Sequence, residues 1–289
     1  MIDLKNNANL MLDTRDSASV KTTERTSKPA APAEAIGEGR EYDECAIAVK
    51  DLTVAYHEKP VIWDLDFFVP TGTLLGIIGP NGSGKTTLLK SILGIIQPTT
   101  GSIKIFGQPY NHATHSIAYV PQKSSVDWSF PTDVFDVVLM GRYGHLSLFR
   151  RPTQKDREIA DQALKMVNME QFATRHISQL SGGQQQRVFL ARALAQQADI
   201  FILDEPFAGI DIVTEQIILK LLQQLRDQGK TIIVVHHDIT TVKKYFDWTF
   251  LMNIKHIALG PTETVLTPEN IALTFQAPNL FNDDVNDSI

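Results

Sequence analysis

The sequence predicts an α/β layered fold carrying a mostly helical insert. Three observations predict it. Short apolar, β-branched runs alternate with segments of helical spacing. A glycine-rich loop joins one of those runs to a helix. Residues 132–197 contain helical patterns and no convincing strand.

In chain order, "AIAVKDLTVAY" and "VIWDLDFFV" read as β segments, and "TLLGIIG" as a short buried strand. "KTTLLKSILGII" then reads as a helix. "TDVFDVVLMGR" and "TQKDREIADQALKMVNM" form the helical insert, and "GGQQQRVFLARALAQQ" is a helix leading back into the α/β core. "DIFILDEP" and "TIIVVHHD" have the continuous apolar character of buried parallel strands. Between them "DIVTEQIILKLLQQLRDQG" places Val213, Ile217, Ile218, Leu221, Leu222 and Leu225 on one helical face, with Gly229 as its C-terminal stop.

Composition narrows the function classes. Hydrophobic residues make up 43% of the 289 residues, enough for a sizeable core. A net charge of −6 argues against a nucleic-acid partner. The single cysteine, Cys45, permits no internal disulfide and suits a reducing compartment. No run reaches the roughly 18 apolar residues of a membrane span, and the start of the chain lacks a signal-peptide pattern. Residues 1–45 are polar and read as a disordered tail, and residues 277–289 as a polar, acidic one.

"GPNGSGKTT" follows an apolar strand and opens a helix. In that setting Gly79, Pro80, Asn81, Gly82, Ser83 and Gly84 form a loop whose backbone N–H groups turn toward phosphate oxygens. Lys85 adds a point charge, Thr86 a hydroxyl for Mg²⁺, and Thr87 continues the helix N-terminus. At the end of "IFILDEP", Asp204 supplies a carboxylate for Mg²⁺. Glu205, pointing the other way by strand alternation, is placed to orient or deprotonate the attacking water. In "LSGGQQQR", Ser181, Gly182, Gly183 and Gln184 make a second nest of N–H donors at a helix start. Two phosphate-binding surfaces with one nucleotide loop imply two copies facing head to tail, each covering the other's nucleotide.

Residues 46–276 resemble an ABC-type ATPase subunit. "GPNGSGKTT", "YVPQ", "LSGGQ", "FILDE", "AGID" and "VVHHD" occur in that family's order. The resemblance implies a P-loop NTPase core with an antiparallel β subdomain and a helical subdomain at about 123–182. It also implies ATP and Mg²⁺ as ligands and active hydrolysis. Tyr56 would stack on adenine, Gln122 would sense Mg²⁺ and the attacking water, and His237 would hydrogen-bond the γ-phosphate. Ser181 and Gly183 would bind the γ-phosphate held by the partner copy, and Asp211 would sit in the D-loop between copies.

An ATPase with no span of its own needs a partner. The leading reading is the energy-coupling subunit of a transporter. It would lie peripherally on the cytoplasmic face of the plasma (inner) membrane and work with integral membrane permease subunits and, indirectly, an extracytoplasmic solute-binding protein. Competing readings are a non-transport ABC ATPase acting on ribosomes or DNA, and a stand-alone P-loop kinase or GTPase. The stretch "VDWSFPTDVFDVVLMGRYGHLSLFRRP" is similar to the version in manganese, zinc and iron importers. Its "GRY" is shared with iron–siderophore and haem importers, the alternative cargo class. In it Val134, Val137 and Val138 would pack inward, while Trp128, Phe130 and Tyr143 would lie near a docking groove for the permease. The pairs His112/His115 and His236/His237 lack further ligands and are not expected to bind metal.

Overall fold

A computed structural model describes residues 45–56, 59–110, 117–147 and 150–275. Most of both tails lies outside those residues, as do His112 and His115. Of the tail expected at 1–45 only Cys45 is described, and it is buried.

The strands are β1 (Ile47–Tyr56), β2 (Lys59–Val69), β3 (Leu74–Ile78), β4 (Thr100–Ile105), β5 (Gln108–Pro109), β6 (Ile117–Val120), β7 (Ile200–Asp204), β8 (Thr231–His236), β9 (Trp248–Asn253) and β10 (Lys255–Pro261). The helices are α1 (Lys85–Ile92), α2 (Val134–Leu139), α3 (Gln154–Met166), α4 (Gly182–Ala195), α5 (Ile212–Asp227), α6 (Ile239–Tyr245), α7 (Thr262–Val265) and α8 (Pro268–Phe275). One sheet has the order β2-β1-β4-β5 and is antiparallel, as expected of the β subdomain. The other runs β10-β9-β3-β8-β7-β6, parallel except for its β9–β10 edge.

Period-two alternation divides the central strands between two cores. Leu74, Ile78, Leu203, Val234 and Leu251 face a cluster built with Val138, Leu164, Val188 and Leu222 from the helices. Leu75, Ile77, Ile202, Val235 and Phe250 face the other way, onto α1 and the antiparallel sheet. There Phe67 stacks on Phe250 at 4.9 Å between ring centres. Burial of each such side chain contributes about 1.5–3 kcal/mol. Gly76 has no side chain for a packing reason: a Cβ there would come within 2.6 Å of the Phe246 ring.

Three helices pack together between β6 and β7. Val134 and Val138 are fully buried, as their spacing predicts, and Val137 nearly so. Thr153 and Asp156 close the start of α3 as a reciprocal capping box. Arg142, buried just after α2, ties all three helices. Its Nε lies 3.0 Å from Asp156 Oδ1, and its Nη1 donates to Ala195 O at 2.8 Å and Gln197 Oε1 at 3.1 Å.

Several expectations change. Strands β4, β5, β6, β9 and β10 were not foreseen; β4, β5 and β10 are short or partly exposed and lack a continuous apolar run. The helix expected over 132–142 is regular only from Val134 to Leu139 and tightens to 3₁₀ from Met140 to His145. The helix expected to reach residue 96 ends at Ile92. On α5, Val213 is exposed at the first turn, and Leu219 takes the core position instead. Gly229, with φ +83°, follows the end of α5 as its spacing suggests.

Candidate nucleotide site

Sheet register gathers the sequence motifs at one edge. Ile78 pairs with His236, Asp204 with Val235, and Val120 with Leu203. The segments that leave these four strand ends carry Gly79, His237, Glu205 and Gln122. All therefore emerge at the C-terminal edge of the parallel strands, where α/β sheets bind ligands.

The loop Gly79–Gly84 is held from below by the β9–β10 turn. Ile254 N donates to Ser83 O at 3.0 Å, and Ile254 O accepts from Trp63 N at 3.0 Å. Gly79 lies so close to the Met252 carbonyl that a Cβ would collide with it. Gly84 combines φ +94° with a Cβ position 2.7 Å from Val61 O. Only glycine fits there, and its turn starts α1. The supporting residues Met252 and Ile254 escaped sequence reasoning because no local pattern ties them to a loop 170 residues away. Tyr56 is exposed at the end of β1, opposite Lys59, on the hairpin whose Val61 touches Gly84.

Lys85 is buried, and its Nζ donates to Gly79 O at 2.9 Å and Pro80 O at 2.7 Å. Desolvation lowers its pKa, with Glu205 and Asp204 pulling the other way. Thr86 Oγ1 donates to Asp204 Oδ2 at 3.1 Å. Burial raises the Asp204 pKa against the Thr86 hydrogen bond, and Glu205 raises it further. A dication would reverse that penalty, and paired hard oxygens of Thr86 and Asp204 suit Mg²⁺.

Gln122 Nε2 donates to Glu205 Oε2 at 2.8 Å. Strand alternation does not orient Glu205, because β7 ends at Asp204. Glu205 instead has φ +51°, a left-handed turn at the end of the strand, and its carboxylate accepts from Gln122 while Asp204 accepts from Thr86. His237 is exposed at the end of β8, and His236 beside it is buried.

Ser181 caps α4: its Oγ accepts from Gln184 N at 3.4 Å, while Ser181 N donates to Gln184 Oε1 at 2.9 Å. Gly182 and Gly183 follow inside the first turn. Their neighbours are the Lys123 ammonium and the Thr214 side chain. Asp211 caps α5 through Thr214 N at 3.0 Å and Thr214 Oγ1 at 2.7 Å, which hold its carboxyl below the ordinary range. The structure thus brings Gly79–Thr87, Gln122, Asp204, Glu205 and His237 to one edge. Ser181–Gln184 and Asp211 form a second group around α4 and α5.

Beside Gln122 an open cleft of about 460 Å³ is lined by Gln122, Lys123, Ser124, Val126, Trp128, Ala208 and Gly209. Trp128 packs on Phe189 at 4.8 Å and donates its Nε1–H to Lys123 O at 2.9 Å. Phe130 and Tyr143 are exposed.

This fold and edge define a P-loop ATPase domain. The family described as ABC transporter matches residues 62–208. The chain is 55% identical over 229 residues to the manganese transport system ATP-binding protein MntB of Bacillus subtilis (strain 168), covering 79% of this chain and 92% of the relative. It is 52% identical over 226 residues to the zinc transport system ATP-binding protein TroB of Treponema pallidum (strain Nichols), covering 78% and 85%. Among solved structures, an ABC transporter in an inward-facing conformation superposes with a TM-score of 0.72 at 35% identity, over 81% of this chain and 90% of that one. The chain belongs to the ABC transporter family, as an ATP-binding, ATP-hydrolysing subunit. No helix among the described residues is long and apolar enough to cross a membrane.

Proposed function

We propose that this chain is the energy-coupling ATPase of a metal-ion importer, with manganese as cargo and zinc as the nearest alternative. It is peripheral on the cytoplasmic face of the plasma (inner) membrane and drives a separate integral permease, with an extracytoplasmic solute-binding protein feeding the same system. The carrying observation is the 55% identity to a manganese-system ATP-binding subunit, ahead of the 52% to a zinc-system one. The cargo does not touch this chain, so cargo identity follows relatedness rather than a pocket.

In this reading Gly79–Thr87 cradles the ATP phosphates, Lys85 neutralises the β and γ oxygens, and Tyr56 stacks on the adenine. Thr86, Asp204 and Gln122 would hold Mg²⁺, which would supply charge neutralisation to the phosphoryl oxygens. Glu205, oriented by its hydrogen bond to Gln122, takes the proton of the attacking water. His237 hydrogen-bonds the γ-phosphate. Ser181, Gly182, Gly183 and Gln184 close over the nucleotide of a second, head-to-tail copy, with Asp211 in the same interface. The exposed Ile212 and Val213 beside Asp211 suit burial there.

The cleft between Gln122 and Trp128 receives the permease. Its floor includes Gln122, so an occupant reaches the group that orients Glu205. Metal accumulation in cells lacking this chain, measured for manganese, zinc and iron, tests the reading. Loss of manganese uptake is expected, and unchanged accumulation of all three would sink it. A loss confined to iron would favour a chelated-iron or haem system.

A further inference from the structure

His236 is 3% exposed and has no part in the chemistry above. Its Nε2 lies 2.7 Å from Thr241 Oγ1. Thr241 donates its single hydroxyl proton to Asp238 O at 3.1 Å, so the same oxygen accepts from His236 Nε2–H. This relay spans the turn that holds His237 between its ends. Asp238 fastens the far side, its Oδ1 accepting from Thr240 N at 2.9 Å and Thr240 Oγ1 at 2.6 Å to cap α6. The imidazole stands edge-on to Phe207 at 5.6 Å and to Phe246 at 5.5 Å. Phe207 follows Glu205 by two residues, and Phe246 rests on Gly76 below the phosphate loop. The ring is therefore clamped by segments that also carry the site.

We propose that His236 is a positioning residue for hydrolysis: through Thr241 it fixes the turn that presents the His237 imidazole to the γ-phosphate. Aromatic packing alone would be met by any ring of this size. The relay needs a donor at Nε2, which separates positioning from filling. The proposal rests on the γ-phosphate role of His237 given above.

The test is steady-state hydrolysis of Mg·ATP by the full chain. For His236→Phe, which keeps the packing and loses the donor, kcat falls about tenfold or more, the scale of a misplaced catalytic group. KM for ATP stays within about twofold. Thr241→Val, which leaves the ring contacts in place, gives the same split even if the phenylalanine variant folds poorly. The double variant is no worse than either single one. His236→Gln, whose amide N–H reaches about as far as Nε2, recovers most of kcat. Wild-type kcat in Thr241→Val, with His237→Ala inactive, overturns this proposal alone. Wild-type kcat in His237→Ala overturns the His237 role and this proposal with it.

Discussion

Gln122 donates from Nε2 to Glu205 Oε2 at 2.8 Å, joining the segment after β6 to the turn after β7. The same glutamine lines the cleft that contains Trp128. One side chain thus touches both the candidate base and the candidate permease groove.

Glu205→Gln keeps the size of the side chain and removes its basicity. Phosphate release is expected to fall by about 10²–10⁴-fold. ATP binding persists, and the variant accumulates as an ATP-bound dimer on size exclusion. Purified Glu205→Gln releasing phosphate at the wild-type rate would refute the assignment.

Lys85→Ala removes the buried ammonium that now rests on the Gly79 and Pro80 carbonyls. ATP affinity, read by equilibrium binding, should weaken by about ten- to a hundredfold, the range of one charge-assisted hydrogen bond. The Glu205→Gln and Lys85→Ala phenotypes therefore differ in kind, one losing turnover and the other binding.

Trp128→Ala empties one wall of the cleft and its contact with Phe189. Metal uptake should fall further than the ATPase rate of the isolated chain, and co-purification with the permease should weaken. Equal losses in both assays would argue that Trp128 serves only the helical core.

Asp156 supplies the pH dependence. Hydrogen bonds from Thr153, then from Arg142, hold its carboxyl at about 2. A folded-state value below the unfolded one, roughly 3.9, means stability that is complete above about pH 4. It is lost progressively as pH falls toward about 2. Asp156→Asn should flatten the melting temperature against pH across that window and lower it at pH 7. An unchanged slope would show that other carboxylates dominate acid unfolding.

Legibility in the sequence followed the range of the interaction. The phosphate loop, the serine at the start of α4 and the apolar face of α5 beyond Val213 are local patterns, and they stand where spacing placed them. Glu205 was assigned the right neighbourhood by the wrong geometry, since a left-handed turn and not strand alternation orients it. β6 is only four residues long, and its pairing with β7 joins residues some eighty positions apart. The support of the loop by Met252 and Ile254, and the Arg142 tie across three helices, are likewise long-range packing, which no window of sequence displays.

The backbone at Glu205 has a further consequence. A left-handed conformation costs a residue with a Cβ about 1–2 kcal/mol. Glycine adopts it freely. Glu205→Gly should therefore melt at a higher temperature than Glu205→Ala, and close to or above the wild type, while hydrolysis falls at least as far as in Glu205→Gln. Selection for folding alone would put glycine after Asp204. The carboxylate persists there against the preference of its own backbone, so this position separates the demand for turnover from the demand for stability.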